Sequence, residues 1–351
     1  MASLACGDGG GLRGMLKDTA RRLELDSTVA AVRLSDVLFD ADRRGFVSFV
    51  PLPSNATAFE AAMLFANQMA PFVAVAGPSG WGKTHLLNSV AETLRIESGV
   101  PAVVRTAVEW VGQAGKCDSA APLILDDVQD VLGKVRLRQQ FRRLLERRVH
   151  TGRPIALALT QERPERTLRS LLPTVHEWSV GLIQAPEVTE RILVVRGMAS
   201  NERLVLAEPL VRLLAQKAPG NGLSLAGALS RLRLLKDRWQ EAPAILRACG
   251  VLMPFLSDTR GWDLRDHVYD AVVAFWSRSS ETLPVGPHEF AIYSMLTLMG
   301  LPERDVAAYF QLNQGDAYAI AATVADRQNC GSLGDVVNRW NDEFVNTLER
   351  L

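Results

Sequence analysis

The stretch Gly77-Pro78-Ser79-Gly80-Trp81-Gly82-Lys83-Thr84 decides the fold of this chain. It matches the phosphate-loop pattern GxxxxGK[ST] and lies between an apolar run over 71–77 and a helical pattern over 85–98. Glycines let backbone N–H groups curl around phosphates, and the N-terminus of the following helix adds positive potential. In this strand–loop–helix context the motif predicts a phosphate site for ATP or ADP that contains all eight residues, with Lys83 reaching the β phosphate and, in ATP, the γ phosphate.

A second motif supplies carboxylates to the same site. Leu123-Ile124-Leu125-Asp126-Asp127 is an apolar strand that ends in two acids. Asp126 suits a place in the shell of Mg²⁺ beside the hydroxyl of Thr84, and Asp127 suits orientation of the attacking water. The alternative is a helix-capping pair of aspartates at a strand end. The phosphate loop upstream favours the metal and catalytic roles.

Strands and helices alternate through the first half of the chain. Apolar runs over 71–77, 103–107, 122–125 and 155–159 predict strands, and a long helix is predicted over 135–150. This alternation indicates βαβ units and a parallel sheet. From 187 to about 239 the pattern is mostly helical, and residues 250–351 are predicted to be all helix.

Composition excludes several classes of protein. No apolar run of the 351 residues approaches the roughly 18 that a membrane helix needs. The four cysteines form no CxxC pair, which argues against a zinc ribbon or a disulfide framework and indicates a reducing cytoplasm. The 39 basic and 39 acidic residues balance, so a whole-protein basic footprint for nucleic acid is absent.

Several sequence strings together resemble the AAA+ core of the bacterial replication initiator DnaA and its shorter relative Hda. They are Pro53-Ser54-Asn55, Gly82-Lys83-Thr84-His85-Leu86-Leu87, Leu125-Asp126-Asp127-Val128-Gln129, Leu159-Thr160-Gln161-Glu162-Arg163-Pro164 and Gly227-Ala228-Leu229-Ser230-Arg231-Leu232. The resemblance implies an α/β fold, an αβα base with a phosphate loop and a helical lid. It also adds His85 to the nucleotide-binding residues.

The resemblance extends to the C-terminal region. Residues 287–293, Gly300-Leu301 and residues 306–310 resemble the helix-turn-helix of the initiator, so an all-α domain of that kind is expected to follow the lid. The implied organisation is a flexible arm over 1–34, a nucleotide-binding base over 35–186, a lid over 187–240 and a C-terminal domain over 250–351. Implied partners are DNA, replication proteins or DnaA itself, and a nucleotide-dependent oligomer, in the cytoplasm or at the nucleoid.

Three positions or segments depart from the family pattern. Its oligomer-dependent arginine falls on Val175 or Glu177, depending on the alignment, and its lid arginine falls on Leu223. Valine, glutamate and leucine carry no positive charge that could stabilise a γ-phosphate, so slow ATP hydrolysis is expected. The interval over 105–121 is short, as in Hda, where the initiator has an insertion that binds single-stranded DNA.

Charge is unevenly distributed along the chain. Residues 246–351 hold eight arginines and fourteen acids, a net charge of −6, whereas a basic segment runs from Lys134 to Arg153. Phosphate contacts dominate affinity for a duplex, so the basic segment is the better candidate surface for DNA or an acidic partner. A solvated helix face is one alternative, and contact with the acidic C-terminal domain of the same chain is another. Candidate contact residues are Arg138, Arg142 and Arg143 in that segment, and Asn313, Gln314 and Tyr318 in the helix-turn-helix.

The sequence therefore predicts an AAA+ protein of the DnaA/Hda type. It binds ATP or ADP with Mg²⁺ and acts in the initiation of DNA replication or in its regulation. Two other functions remain open at this point. One is a nucleotide-gated protein adaptor with little DNA binding, and the other is a helicase-loader or transposition-type ATPase.

Overall fold

The computed structural model describes residues 46, 48–113, 119–161, 164–218, 220–235, 239, 241–256, 262–279, 285–313, 315–329 and 333–350. The chain divides into two compact units, one that ends at Glu187 and one that runs from Val188 to Leu351. The predicted arm over 1–34 lies outside the described residues. Within the described ranges, none of the helices has the length and apolar character that crossing a membrane requires.

A five-stranded parallel sheet forms the centre of the first unit. Its strands, in the order β2-β3-β4-β1-β5, are β1 Phe72–Gly77, β2 Val103–Thr106, β3 Leu123–Asp126, β4 Ile155–Thr160 and β5 Ser179–Leu182. Every residue of β1 is buried, as expected for a strand with helices on both faces. The predicted α/β fold with a parallel sheet is confirmed. β5 was not predicted.

Helices cover both faces of this sheet, which gives three layers. They are α1 Ala56–Ala66, α2 Lys83–Glu97, α3 Ala107–Gly112, α4 Gln129–Leu132, α5 Val135–His150 and α6 Pro164–Leu171. Phe59 of α1 and Leu86 of α2 pack in the core on one face. Trp110 of α3 and Phe141 of α5 pack in the core on the other.

Gly181 in β5 lets α1 lie directly against the edge of the sheet. A Cβ at this position would fall 2.3 Å from Cα of Ala58, so no other residue fits without a backbone shift. The hydroxyl of Thr57 accepts the N–H of Leu182 at 3.0 Å. The carbonyl of Ser54 accepts the N–H of Gln184 at 2.8 Å. These contacts fix the start of α1 and the residue Ser54 before it against β5 and the residues that follow it, and β5 is the neighbour of the phosphate-loop strand β1.

One arginine of the basic helix α5 is structural. Arg148 is only 3% exposed. Its guanidinium donates to the carbonyls of Ser119, Ala121 and Pro154 at 3.1, 2.5 and 3.0 Å. A buried cation stays charged when its donors are satisfied in this way. The basic surface expected over Lys134–Arg153 therefore has one member fewer than the sequence suggests.

The second unit is helical. Its helices are α7 Val188–Asn201, α8 Glu208–Lys217, α9 Gly222–Leu235, α10 Ala242–Leu252, α11 Leu264–Arg278, α12 Pro287–Tyr293, α13 Glu303–Phe310, α14 Asp316–Asn329 and α15 Gly334–Glu349. A π-helical turn over Ser294–Leu298 follows α12.

A single hydrophobic core runs through this second unit. Its buried residues extend from Val195 to Leu348, and α15 packs against both α8 and α10. The segments predicted as lid, 187–240, and C-terminal domain, 250–351, thus share one core. Their separation into two domains stays a prediction.

The helices α13 and α14 follow each other across a short turn, in the region where a helix-turn-helix is predicted. Gln311, with φ of 57°, ends α13, and Gly315, with φ of 90°, precedes α14. The carboxylate of Glu303 accepts the N–H of Gly315 and so fixes the turn. The second helix of this pair is α14.

Candidate functional site

The phosphate loop joins β1 to α2 in a conformation that leaves its backbone available to an anion. Gly80 and Gly82 have φ of 75° and 91°, which favours glycine at both positions. The first N–H groups of a helix have no partner within that helix, and α2 begins at Lys83 directly after Gly82. The loop therefore presents N–H groups and a helix N-terminus at one place, as phosphate binding requires.

Lys83 is folded back onto this loop. Its ammonium donates to the carbonyl of Gly77 at 3.1 Å and to that of Pro78 at 2.6 Å. Burial lowers the pKa of Lys83, and the nearby carboxylates of Asp126 and Asp127 oppose part of that decrease. Lys83 is thus buried beside the loop, where the negative charge of a bound phosphate would stabilise its charged form.

Thr84 and Asp126 fit a magnesium site. The Thr84 hydroxyl donates to Oδ2 of Asp126 at 2.6 Å, although the two residues lie on different elements. A hydroxyl and a carboxylate oxygen are ligands that suit Mg²⁺, which keeps its remaining positions for water and nucleotide phosphates. The end of β3 therefore brings together the two residues that sequence reasoning assigned to the metal.

Asp127 leaves the sheet in an unusual backbone conformation. Its φ is 53°, in the left-handed region. Its N–H donates to Oδ1 of Asp126 at 2.8 Å, and its own Oδ1 accepts the side-chain amide of Gln129 at 2.8 Å. Such strain persists where surrounding contacts over-determine it, often at functional sites. Sequence reasoning did not single out Gln129. The signal that could have identified it was its position in the string 125–129, which resembles the acidic strand of DnaA.

His85 lies beside an aromatic residue from the segment before α1. Its ring is stacked on Phe49 with centroids 5.8 Å apart, and its Nε2 lies 3.0 Å from the hydroxyl of Ser48. Phe49 is close to the loop, since a Cβ at Gly82 would lie 3.3 Å from its Cε2. His85 is thus next to the loop, with its ring engaged by this segment.

The positions of the missing family arginines hold no cation. Val175 and Glu177 form a short 3-10 turn before β5, and Glu177 is exposed. Leu223 lies at the start of α9 in the second unit and is 69% exposed. Arg169, the nearest arginine to the turn in sequence, is an exposed residue of α6.

The candidate DNA or partner residues lie in different units. Arg138, Arg142 and Arg143 are exposed on α5, and Arg142 pairs with Glu146 at 2.9 Å. In the second unit, the exposed Asn313 donates its amide to Asp316 at 3.2 Å, and Tyr318 is 57% exposed. Gln314 lies outside the described residues.

The fold of the first unit is of the AAA+ class, and the loop after β1 carries the phosphate-loop pattern. Domain III of the replication initiation protein DnaA from Thermotoga maritima matches 62% of this chain over 98% of its own length, with a TM-score of 0.50 and 21% identity. That likeness shows the fold. No protein-family profile matches the chain.

Within that class, the sequence is similar to DnaA. The chromosomal replication initiator protein DnaA of Helicobacter hepaticus is 26% identical over an alignment of 229 residues that covers 59% of this chain and 49% of that protein. DnaA of Nautilia profundicola is 26% identical over an alignment of 211 residues that covers 54% of this chain and 47% of that protein. The chain spans about half the length of these relatives. The predicted resemblance to DnaA is confirmed.

Proposed function

We propose that this chain is a Mg·ATP-binding switch protein that acts in the initiation of DNA replication or in its regulation. The observation that carries the proposal is the arrangement at the carboxyl ends of β1 and β3, where Lys83, the Thr84–Asp126 pair and Asp127 meet around one loop. The similarity to DnaA supports the link to replication. A cytoplasmic site of action goes with this role.

The residues from Gly80 to Thr84 each have a part in the proposed binding. Backbone N–H groups from Gly80 to Thr84 donate to the phosphate oxygens, and Lys83 exchanges its contacts with the loop carbonyls for the β and γ phosphates. Thr84 and Asp126 would hold Mg²⁺, and the ion would neutralise charge on the phosphates. Both ATP and ADP fit this loop, because the contacts to the β phosphate are common to the two.

Hydrolysis is the slower part of the proposed cycle. Asp127 accepts a hydrogen bond from the attacking water and aims its oxygen at the γ-phosphorus. The new P–O bond forms as the bond to the β–γ bridging oxygen breaks, ADP leaves with that electron pair, and one proton passes to solvent. The lack of an arginine at Val175, Glu177 and Leu223 removes a contribution that is worth roughly 10³–10⁵ in rate where it operates.

The surface proposed to contact DNA is the arginine face of α5, formed by Arg138, Arg142 and Arg143. All three side chains are exposed. The acidic balance of residues 246–351 makes the helix-turn-helix a poorer source of phosphate contacts.

One observation favours a second candidate, a nucleotide-gated protein adaptor. The exposed face of α14 presents Asp316, Tyr318 and Asp326, which suit a protein partner better than a phosphate backbone. A mobility-shift titration of the full chain with duplex DNA separates the two. Salt-sensitive binding supports the DNA-contacting switch, and no binding up to micromolar protein supports the adaptor.

The direct test of the site is nucleotide binding by Lys83→Ala. The variant loses the ammonium that faces the β and γ phosphates, so we expect ATP and ADP to bind at least tenfold more weakly than to the parent. Arg95→Ala is the matched control, because it removes an exposed cation from the far end of the same helix. Equal affinity of the Lys83 variant and the parent would show that the nucleotide site is elsewhere.

A further inference from the structure

The side-chain amide of Gln129 joins two parts of the proposed nucleotide site. Its Oε1 accepts the backbone N–H of Thr160 at 3.0 Å, and its Nε2 donates to Oδ1 of Asp127 at 2.8 Å. A backbone N–H is only a donor and a carboxylate is only an acceptor. The orientation of the amide is therefore fixed by its partners on both sides.

The side chain of Gln129, which bridges Asp127 and Thr160, lies where the pairing between β3 and β4 ends. The two strands pair from Leu123 with Ile155 to Leu125 with Leu157. Beyond Asp126 the chain turns away at Asp127, and the N–H of Val128 returns to the carbonyl of Ala158 at 3.1 Å. The amide of Gln129 then accepts the next N–H of β4, that of Thr160, where β3 no longer offers a carbonyl.

The bridge also reaches the phosphate loop. Next to Thr160, the N–H of Gln161 donates to the carbonyl of Gly77 at 3.0 Å. That same carbonyl accepts the ammonium of Lys83. Hydrogen bonds thus run from the carboxylate of Asp127 through Gln129 and the end of β4 to the loop lysine.

We infer that Gln129 is a positioning residue that holds the carboxylate of Asp127 in the orientation needed to aim the attacking water at the γ-phosphate. The inference rests on the proposed function. With Oδ1 bonded to Gln129, Oδ2 accepts no hydrogen bond from the described residues and is left for the water. Asp127 leaves the sheet in a left-handed backbone conformation, and the bond to Gln129 holds its side chain in one orientation.

Loss of the Gln129 side chain should therefore slow ATP hydrolysis without weakening ATP binding. Gln129 bonds to neither the loop N–H groups nor the Thr84–Asp126 pair, so its loss leaves the phosphate contacts in place. The bond to a charged carboxylate is of the stronger kind, and losing it should slow hydrolysis by roughly ten- to a hundredfold.

Two substitutions dissect the bridge. Gln129→Met keeps the length of the side chain and loses both hydrogen bonds. Gln129→Glu keeps the acceptor for Thr160 and places a carboxylate against Asp127. Gln113→Met, at an exposed glutamine in the same unit, is the matched control. Each protein is assayed for ATP affinity by equilibrium binding and for hydrolysis of labelled ATP under single-turnover conditions.

We expect both Gln129 variants to bind ATP within about threefold of the parent and to hydrolyse it roughly ten- to a hundredfold more slowly, with Gln129→Glu the slower. Adding Gln129→Met to Asp127→Asn should cost little further rate, because the first residue acts through the second. Full additivity of the two effects would overturn the inference. So would parental rates in the variants, or a loss of affinity as large as the loss of rate.

The outcome for the parent separates this inference from the proposed function. A parent that binds no ATP refutes the proposed function. A parent that binds ATP and converts none of it in a single turnover overturns the positioning role of Gln129 and leaves the nucleotide-binding proposal standing.

Discussion

At the scale of single residues, the burial of Lys83 affects its protonation state and therefore its affinity for nucleotide. The pKa of Lys83 is lowered, chiefly because the side chain is buried. Above that lowered pKa the lysine is neutral and no longer attracts phosphate. The free protein therefore loses its cation at a lower pH than an exposed lysine would, and above that pH the binding of ATP must also restore the proton.

We predict that ATP affinity falls as the pH rises through the lowered pKa of Lys83. Lys83→Arg is the control, because a guanidinium stays charged over the same range. Equilibrium binding from neutral to alkaline pH measures the effect. A parent whose affinity stays flat while the pH rises would show that Lys83 does not face the phosphates.

The site residues differ in how far the sequence could predict them. The loop and its two carboxylates follow from motif spacing, because the chemistry of phosphate and Mg²⁺ requires those residue types in that order. Gln129 could not be assigned in the same way. Its role depends on where β3 leaves β4, which is a property of pairing between strands and not of local sequence.

At the scale of elements, α5 combines a buried arginine with exposed ones. Its core residues Phe141, Leu145, Arg148 and Val149 recur with helical spacing, so position 148 falls on the buried face. The spacing was visible in the sequence, but an arginine within a run of basic residues is normally predicted to be exposed. β5 was missed for another reason: it has four residues and contains the Gly181 that α1 requires, so its sequence carries little strand signal.

Arg148→Met should lower the free energy of unfolding of the first unit by about 1.5–3 kcal/mol, because a charged donor to three carbonyls is lost. Arg143→Met, on the exposed face of the same helix, should change it by less than about 0.5 kcal/mol. Urea unfolding followed by circular dichroism measures both. Similar midpoints for the two variants would mean that the Arg148 contacts do not stabilise the unit.

The arginine face of α5 leads to a prediction about salt. The double reversal Arg142→Glu with Arg143→Glu should weaken duplex binding and reduce the slope of log affinity against log salt by about 2. Losing the exposed Arg142–Glu146 pair costs at most about 1 kcal/mol of stability. The same double reversal at Arg304 and Arg327 of the helix-turn-helix serves as the comparison. A larger effect there would identify the helix-turn-helix as the DNA-contacting surface.

At the scale of the whole molecule, the second unit depends on its last helix. Trp340 of α15 is fully buried and packs against Phe344 and Phe275 with ring centroids 5.5 and 5.9 Å apart. Trp340→Ala should destabilise this unit by roughly 3–5 kcal/mol. Tyr318→Ala, at an exposed aromatic of the same unit, is the control. Differential scanning calorimetry measures both, and equal melting temperatures would contradict the packing described for α15.

Since α15 packs against α8 and α10, the segments before and after residue 240 cannot be exchanged independently between relatives. A chimera that swaps only 250–351 would set a foreign helix against the buried side of α8, whereas a swap from Val188 onward carries its own complementary surfaces. Recombination between related genes is restricted in the same way, because a crossover near residue 240 would separate helices that pack together. The unit that can be transplanted is the whole of Val188–Leu351, and substitutions on α8 and α15 are expected to accumulate as compensating pairs.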